Sequence, residues 1–414
     1  MQMRKSKLIE LPPGTRQILN ADFGADAVAK ISRALYHYLP EYGIEVLLFE
    51  PSSQRSKLGF EGRTRALYDI RIPILRLIRR EKSKGAGKLE ASWKDNFMIT
   101  PEGIVQFAFT IACLPRLIPC VKSFGYRIVH LHSMYQTIIL FLFKRLFNLD
   151  YLIVYHSHNH TVHMSSNFSK LSFKARTTEG LALRLADHVV VPTKAVACSV
   201  FKNFKIGGKV TVIPGGVDVG WPSVKRRDPV DPMTLLCVAR IQPRKNQLMI
   251  LEAVSMLDLL LRERLEVVLV GPIEDEDYFK RIMDFASQKQ LRVRYKGVLS
   301  EAELSEIYAN STLFVFPTIQ ETQGLVILEA MTYGLPVISS RIEPIVEIAA
   351  NVENSCMLID PSDRAELARA IERVVKDSTL YNQLSQKGRM LAEMFDWKRV
   401  SQRYIDLLGD LAKG

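Results

Sequence analysis

Long apolar segments and patterned cysteines are both missing from this chain of 414 residues. No apolar run reaches the ~18 residues of a membrane span. The run from Gln136 to Phe143, for example, stops at Lys144 and Arg145. The charged N-terminus does not lead into the apolar core of a signal peptide. The five cysteines have no metal or redox spacing, which suits a reducing compartment. We expect a cytoplasmic protein, with any membrane contact peripheral and on the inner face.

Histidine is absent after His188, and six of the eight histidines lie between His130 and His163. The segments IVHLHS (128–133) and IVYHSHNH (153–160) each end a predicted apolar strand. In an H-x-H pair both side chains share one face of a strand, so a zinc hydrolase is one interpretation. Such a site normally recruits further ligands from later strands. The lack of later histidines disfavours that interpretation.

The net charge of +12 is unevenly distributed. Through Asp228 there are 34 Lys and Arg against 17 acids, giving +17; from Pro229 onward there are 22 against 27, giving −5. The densest basic part, residues 63–88, has apolar residues between its charges. It fits either an anionic membrane surface or a solvated loop. No nucleic-acid recognition module accompanies the charge, so nucleic acid is not an expected partner.

Length and composition indicate two domains, because 47% hydrophobic residues in 414 are ample for two cores. Strands alternate with helical patterns, which predicts parallel α/β sheets. The Pro-rich run from Gly220 to Pro232 marks the predicted boundary. We therefore predict two Rossmann-like domains, residues 1–220 and 221–394, with the active site in the cleft at the carboxyl ends of both sets of strands.

The first strand of the chain is ambiguous from the sequence. Either Lys7 to Leu11 or Arg16 to Asn20 could form it. A helix is predicted from Ala25 to Tyr38, and the next strand from Ile44 to Phe49. The C-terminal stretch from Phe395 to Leu408 has a helical apolar stripe.

The segment PTIQETQGLVILEAMTYGLPVIS (317–339) places Glu321 and Glu329 eight positions apart. Residues 313–317 are predicted to be a buried strand, and Gly324 marks a turn before an apolar helix. A helix N-terminus suits a pyrophosphate. Carboxylates accept hydrogen bonds from hydroxyls, so one glutamate suits a sugar and the other a ribose. By themselves, the two glutamates fit ordinary surface charge better than a ligand site.

This segment resembles the E-x7-E signature of the glycosyltransferase family 4 enzymes, and the resemblance continues at VARIQPRKN (238–246). It is strong from Val210 onward and loose before. The resemblance implies the GT-B fold, in which two Rossmann-like domains face each other across a cleft and the C-terminal helix, residues 395–414, packs back on the N-terminal domain. It also implies a retaining hexosyltransferase that uses a nucleotide-sugar donor.

Four residues of the second domain receive catalytic or sugar-holding roles from the resemblance. Arg240 and Lys245 fall on the arginine and lysine that grip the donor diphosphate. Fixed cations there lower the barrier to departure of the nucleoside diphosphate. Glu321 would orient the sugar, and Glu329 would hold the ribose.

Further donor contacts are implied at backbone positions. The amides around Gly324 and Leu325 would help to hold the diphosphate, and the loop at Gly297 and Val298 would lie against the nucleobase. In the N-terminal domain, Gly24 is the one glycine retained from a pair that normally touches phosphate or acceptor.

A histidine of the N-terminal domain is expected to fix the donor sugar from the opposite side. His158 in YHSHN is the best match, and His156 is the second choice. The HSHN form resembles exopolysaccharide-synthesising members. The Thr322 and Gln323 variant inside the glutamate motif resembles enzymes that glycosylate lipid acceptors, whereas Gly215 stands where the family commonly has asparagine.

The acidic run from Glu274 to Asp277 contains the D-x-D spacing by which another glycosyltransferase class holds a divalent cation. It precedes a helical pattern, so these acids are expected to favour a helix N-terminus instead. No metal or other cofactor is predicted to be required.

Together these patterns predict transfer of a hexose from a nucleotide sugar, with a UDP-sugar favoured, to a lipid-linked or saccharide acceptor. Two other classes stay open. A non-catalytic glycosyltransferase-like partner would explain the missing glycine, and a nucleotide-sugar hydrolase or epimerase would need no acceptor.

Overall fold

The computed structural model forms two compact units. It describes residues 16–20, 38, 45–51, 68–70, 110–111, 114–115, 117–118, 121–122, 127–157, 173–219 and 232–413. Of these residues, Thr193–Ala195 and Pro214–Arg399 belong to the second unit and the others to the first. The predicted boundary segment, 220–232, lies outside the described residues except for Pro232.

The first unit is built on a parallel sheet whose seven described strands run in the order β3-β2-β1-β4-β5-β6-β7. The strands are β1 (Arg16–Asn20), β2 (Glu45–Pro51), β3 (Tyr68–Ile70), β4 (Ile128–Leu131), β5 (Leu152–His156), β6 (His188–Val191) and β7 (Val210–Val212). The central strands β4 and β5 are almost wholly buried. Such continuous apolar runs are typical of a parallel sheet covered on both faces.

Three helices stand out among the described residues of this half of the chain. They are α1 (Met134–Leu146), α2 (Phe173–Leu185) and α3 (Lys194–Phe204). The sequence left two candidates for the first strand, and the structure selects Arg16–Asn20, which pairs with both β2 and β4. The predicted helix from Ala25 lies outside the described residues except for Tyr38. So does the basic stretch 63–88, except for β3.

The second unit carries a six-stranded parallel sheet in the order β10-β9-β8-β11-β12-β13. Its strands are β8 (Met233–Val238), β9 (Leu265–Val270), β10 (Val293–Tyr295), β11 (Leu313–Phe316), β12 (Val337–Ser340) and β13 (Met357–Ile359). The chain proceeds from β8 to one side and from β11 to the other. The strand order therefore reverses between β8 and β11, the switch point of a doubly wound fold.

Helices link the strands of this second sheet. They are α4 (Gln247–Ser255), α5 (Leu259–Glu263), α6 (Glu276–Gln288), α7 (Glu301–Asn310), α8 (Leu325–Thr332), α9 (Glu343–Ala349), α10 (Arg364–Lys376) and α11 (Ser378–Met394). The prediction of α/β domains with parallel sheets is confirmed. No helix among the described residues is long and apolar enough to cross a membrane.

The last helix, α12 (Trp397–Lys413), belongs to both units. Its first turn lies in the second unit, where the Val217 backbone N–H donates to the Phe395 carbonyl at 2.9 Å. From Val400 onward it belongs to the first unit. Its apolar stripe is buried, with Tyr404 only 1% exposed. The predicted packing of residues 395–414 on the N-terminal domain stays a prediction.

Candidate active site

Four loops of the second unit follow the carboxyl ends of neighbouring strands. Because the sheet is parallel, the loops after β8, β9, β10 and β11 leave from the same edge. The loops after β8 and β11 flank the switch point, which is where ligands bind in open α/β sheets. Arg240 and Lys245 lie in the first of these two loops, and Glu321 and Gly324 lie in the second.

Lys245 and Glu321 meet directly in an ion pair. Lys245 ends a short 3-10 helix, Pro243–Lys245, and its Nζ lies 5.1 Å from the centroid of the Phe316 ring. Both charged side chains are only 11% exposed. A largely desolvated ammonium held by one carboxylate and one aromatic face can exchange that carboxylate for an anionic ligand.

Backbone contacts hold the two switch-point loops together. Arg244 donates from Nη1 to the Gln320 carbonyl at 3.0 Å, and its own carbonyl accepts from the Ile319 N–H at 2.9 Å. The Asn246 amide donates to the carbonyls of Pro317 and Pro361 at 3.1 and 2.9 Å. The site is therefore positioned by rigid hydrogen bonds on both sides of Lys245.

Arg240 has a different partner. Its guanidinium contacts Glu274 Oε1 at 2.5 Å, and its side chain is half exposed. Asp275, next in the acidic run, is the N-cap of α6 and accepts from the Tyr278 N–H at 2.8 Å. The prediction that this run starts a helix is confirmed. Glu274 instead orients the Arg240 guanidinium beside the switch point, a role that the sequence reasoning missed.

Gly324 starts α8 in a left-handed conformation, with φ of +84°. A side chain there would be strained, and its Cβ would lie 3.1 Å from Ile345 Cδ1 and 3.8 Å from Glu321 Cγ. Glycine is therefore required to turn the chain from the Glu321 loop into the helix. The turn points the first amides of α8 at the same edge of the sheet as Glu321.

Glu329 lies on α8 and accepts a hydrogen bond from the Tyr308 hydroxyl at 3.3 Å. Tyr308 is 2% exposed, and its ring stacks on Tyr333 with centroids 5.2 Å apart. Burial, together with the Glu329 carboxylate, raises the pKa of Tyr308 well above its usual value. The hydroxyl therefore keeps its proton and stays a donor that fixes Glu329.

The loops after β9 and β10 lie close to the loop after β8. Gly271 has φ of +136°, and a Cβ there would lie 2.1 Å from the Ala239 carbonyl oxygen, so only glycine fits. Its N–H donates to the Gly297 carbonyl at 2.8 Å. Gly297 is also left-handed, and the next side chain, Val298, is 74% exposed. The exposed Val298 provides an apolar surface beside the site.

Gln323 is a further site residue whose role the sequence reasoning missed. Its buried amide accepts from the Gly215 N–H at 2.8 Å and donates to the Gly215 carbonyl at 2.9 Å. This two-point contact ties the glutamate loop to the start of the second unit. The two departures from the family pattern noted above, at Gly215 and Gln323, are therefore partners of each other.

Three residues of the N-terminal domain are predicted to contact the donor, His156 among them. Gly24 and His158 lie outside the described residues. The second-choice histidine, His156, is fully buried in the first unit, and its Nδ1 lies 2.9 Å from the Tyr404 hydroxyl. The ligand atoms of His130, His132 and His156 all lie within 4.8 Å of one another, so these residues could hold a metal ion.

Family models match both halves of the chain. One described as Glycosyltransferase Family 4 matches residues 28–221, and one described as Glycosyl transferases group 1 matches residues 223–390. O-antigen chain mannosyltransferase B of Escherichia coli is 28% identical over 171 residues, which are 41% of this chain and 44% of that protein. A D-inositol 3-phosphate glycosyltransferase of Nocardioides is 28% identical over 48% of each chain. These matches span less than half of the relatives' length.

Solved structures resemble the chain over nearly its whole length. Sucrose-phosphate synthase from Thermosynechococcus elongatus gives a TM-score of 0.73 at 19% identity, over 96% of this chain and 99% of that one. Anabaena Alr3699/HepE in complex with UDP-glucose gives 0.67 at 16% identity, over 95% and 99%. Such likeness, with two parallel sheets, defines a GT-B fold. The chain belongs to glycosyltransferase family 4.

Replacing Gln323 by leucine should destabilise the second unit while preserving side-chain size. The change leaves the buried N–H and carbonyl of Gly215 without their partners, at a cost of about 2–4 kcal/mol in the free energy of unfolding. Chemical denaturation followed by circular dichroism measures the change. Gln383→Leu, at an exposed position of α11, is the control and should change stability by less than about 0.5 kcal/mol. Equal effects of the two variants would contradict the assigned role of Gln323.

Proposed function

We propose that this protein transfers a hexose from a nucleotide sugar to an acceptor hydroxyl with retention of anomeric configuration. One observation carries the proposal. The cations, the carboxylate and the helix N-terminus that a sugar diphosphate needs occupy the two loops that flank the switch point of the second sheet.

The diphosphate would bind between α8 and the Lys245 loop. The first amides of α8 and its positive dipole end favour an anion beside Gly324 and Leu325. Lys245 would exchange Glu321 for a phosphate oxygen, and the Arg240 guanidinium would add a planar fork of donors. As the bond to the sugar breaks, negative charge grows on the departing diphosphate. Two fixed cations stabilise this charge and so lower the barrier to breaking the bond.

The carboxylates serve the hydroxyl groups of the donor. Once Lys245 turns to phosphate, Glu321 can accept from sugar hydroxyls a few ångströms from the bond that breaks. Glu329, fixed by Tyr308, would accept from the ribose. The exposed Val298, next to Gly297, would pack against the nucleobase. His158 of the first unit remains the proposed contact to the sugar, and Gly24 the proposed backbone contact.

Retention follows in this proposal from attack on the same face from which the diphosphate departs. The departing diphosphate oxygen would take the proton of the acceptor hydroxyl as the new bond forms, so no protein nucleophile is needed. Arg240 and Lys245 would supply the charge that a divalent cation supplies in other sugar transferases, so transfer would need no metal.

The donor and acceptor classes are proposed from the comparisons and the sequence. The structural neighbour HepE was solved with UDP-glucose, which favours a UDP-sugar. The relative named for O-antigen chain mannosyl transfer favours a lipid-linked or polysaccharide precursor as acceptor. The basic stretch 63–88 would bind the acceptor-side domain, residues 1–220, to the anionic inner surface of the membrane. Residues 221–394 would hold the donor.

Alanine at Arg240 or Lys245 should lower turnover at least about a hundredfold, because each removes a donor to the charge of the leaving diphosphate. Steady-state kinetics measure the loss, and circular dichroism verifies that the variants fold. Arg294→Ala is a matched control, since Arg294 is also half exposed and paired with a glutamate. Near-normal turnover in Arg240→Ala and Lys245→Ala would overturn the assignment of these residues.

A panel of UDP-, GDP- and ADP-sugars, each with and without membrane lipid extract, tests the reaction itself. We expect release of one nucleoside diphosphate that depends on the extract, together with a labelled glycolipid product. Added Mg²⁺ or Mn²⁺ should leave the rate unchanged. Release without acceptor would indicate a hydrolase. Failure to bind any nucleotide sugar would indicate a non-catalytic partner.

A further inference from the structure

Three buried histidines converge at the carboxyl end of the first sheet. His130 lies on β4, His132 follows it directly, and His156 ends the neighbouring strand β5. Their exposed fractions are 0%, 6% and 0%. One ring nitrogen from each lies within 4.8 Å of the others. The H-x-H spacing places the first two side chains on one face of the chain, and the pairing of β4 with β5 brings the third beside them.

Burying the polar ring of His130 without a ligand costs free energy. Neither ring nitrogen of this fully buried residue has a hydrogen-bond partner among the described residues. Its ring lies between those of His132 and His156, at centroid distances of 4.7 and 5.8 Å. Buried polar groups normally have partners. Neutral imidazole is the form that binds metal ions.

Tyr404 of α12 supplies the outer contact that metal-binding histidines usually have. Its hydroxyl oxygen lies 2.9 Å from His156 Nδ1. In the tautomer that carries its proton on Nδ1, His156 donates to this oxygen and presents Nε2 to an ion. Such outer partners fix the tautomer and ring orientation of a ligand.

We infer that His130, His132 and His156 form a site for one Zn²⁺ ion, with Tyr404 as the partner that orients His156. Three neutral imidazoles suit Zn²⁺ and related late transition metals, whereas Mg²⁺ and Ca²⁺ prefer oxygen. The nearly complete burial of all three ligands rules out access by a polymeric or lipid substrate, so the ion is structural. It would join α12 to the strands of the first unit. This inference is independent of the proposed transfer reaction.

The test uses the full chain without an affinity tag. After dialysis against a mild chelator, elemental analysis should find about one zinc per chain. Protein stripped by a strong chelator should take up one Co²⁺ per chain, with visible absorption typical of an enclosed site, and its melting temperature should rise on addition of Zn²⁺. Absence of stoichiometric zinc together with no saturable Co²⁺ uptake would overturn the site.

Two variants and one control locate the ion. Tyr404→Phe keeps the buried ring but removes the oxygen that accepts from His156, and should weaken Co²⁺ binding about 10–100-fold. His130→Gln should abolish stoichiometric binding. His188→Gln is the control, because His188 is a half-buried histidine that pairs with Thr211 outside the cluster. Unchanged binding in Tyr404→Phe and His130→Gln would place the metal elsewhere and overturn the inference. If His130→Gln fails to fold, the wild-type titration and Tyr404→Phe decide it.

Discussion

The ion pair between Lys245 and Glu321 is the interaction on which the donor site depends. Both groups are largely withdrawn from water, so each needs the other while no ligand is bound. Removing either group breaks an ion pair in a largely desolvated setting, which is destabilising. The pair therefore keeps a cation and a carboxylate in place, ready for a ligand that carries both phosphate and hydroxyl groups.

That pair exists because of strand order. Lys245 and Glu321 are 76 positions apart, yet the pairing of β8 with β11 makes their loops neighbours. Glycines at 271 and 324 then permit a close backbone approach and a reversal that other residues would resist. The position of the site thus follows from a parallel sheet with one switch point. The chemistry of its side chains does not determine that position.

Much of the fold of the second unit was predictable, because its strands are short apolar runs ended by glycine, proline or charge. The strand 313–317 and the helix after Gly324 were identified from such local signals. The contact between Gln323 and Gly215 was not, since it joins residues 108 positions apart and has no periodic pattern. The contact between Tyr404 and His156 spans 248 positions for the same reason.

The histidines show how the same pattern can carry different chemistry. From the sequence, H-x-H indicated either a zinc hydrolase or a sugar contact, because spacing places side chains on a face but gives neither their burial nor their partners. The structure buries His130, His132 and His156 together, which disfavours a hydrolytic site open to substrate. Burial depends on what packs over the strand, here α12 from the far end of the chain.

Amide hydrogen exchange of the whole chain, with and without saturating UDP, GDP or ADP, tests the central claim most directly. We expect one of these nucleotides to slow exchange in peptides that cover 240–247 and 321–329, the two loops at the switch point, and to leave α6 unchanged beyond its first turn. Slowed exchange only in other parts of the second unit, or no change with any of the three nucleotides, would contradict a donor site built around Lys245 and Glu321.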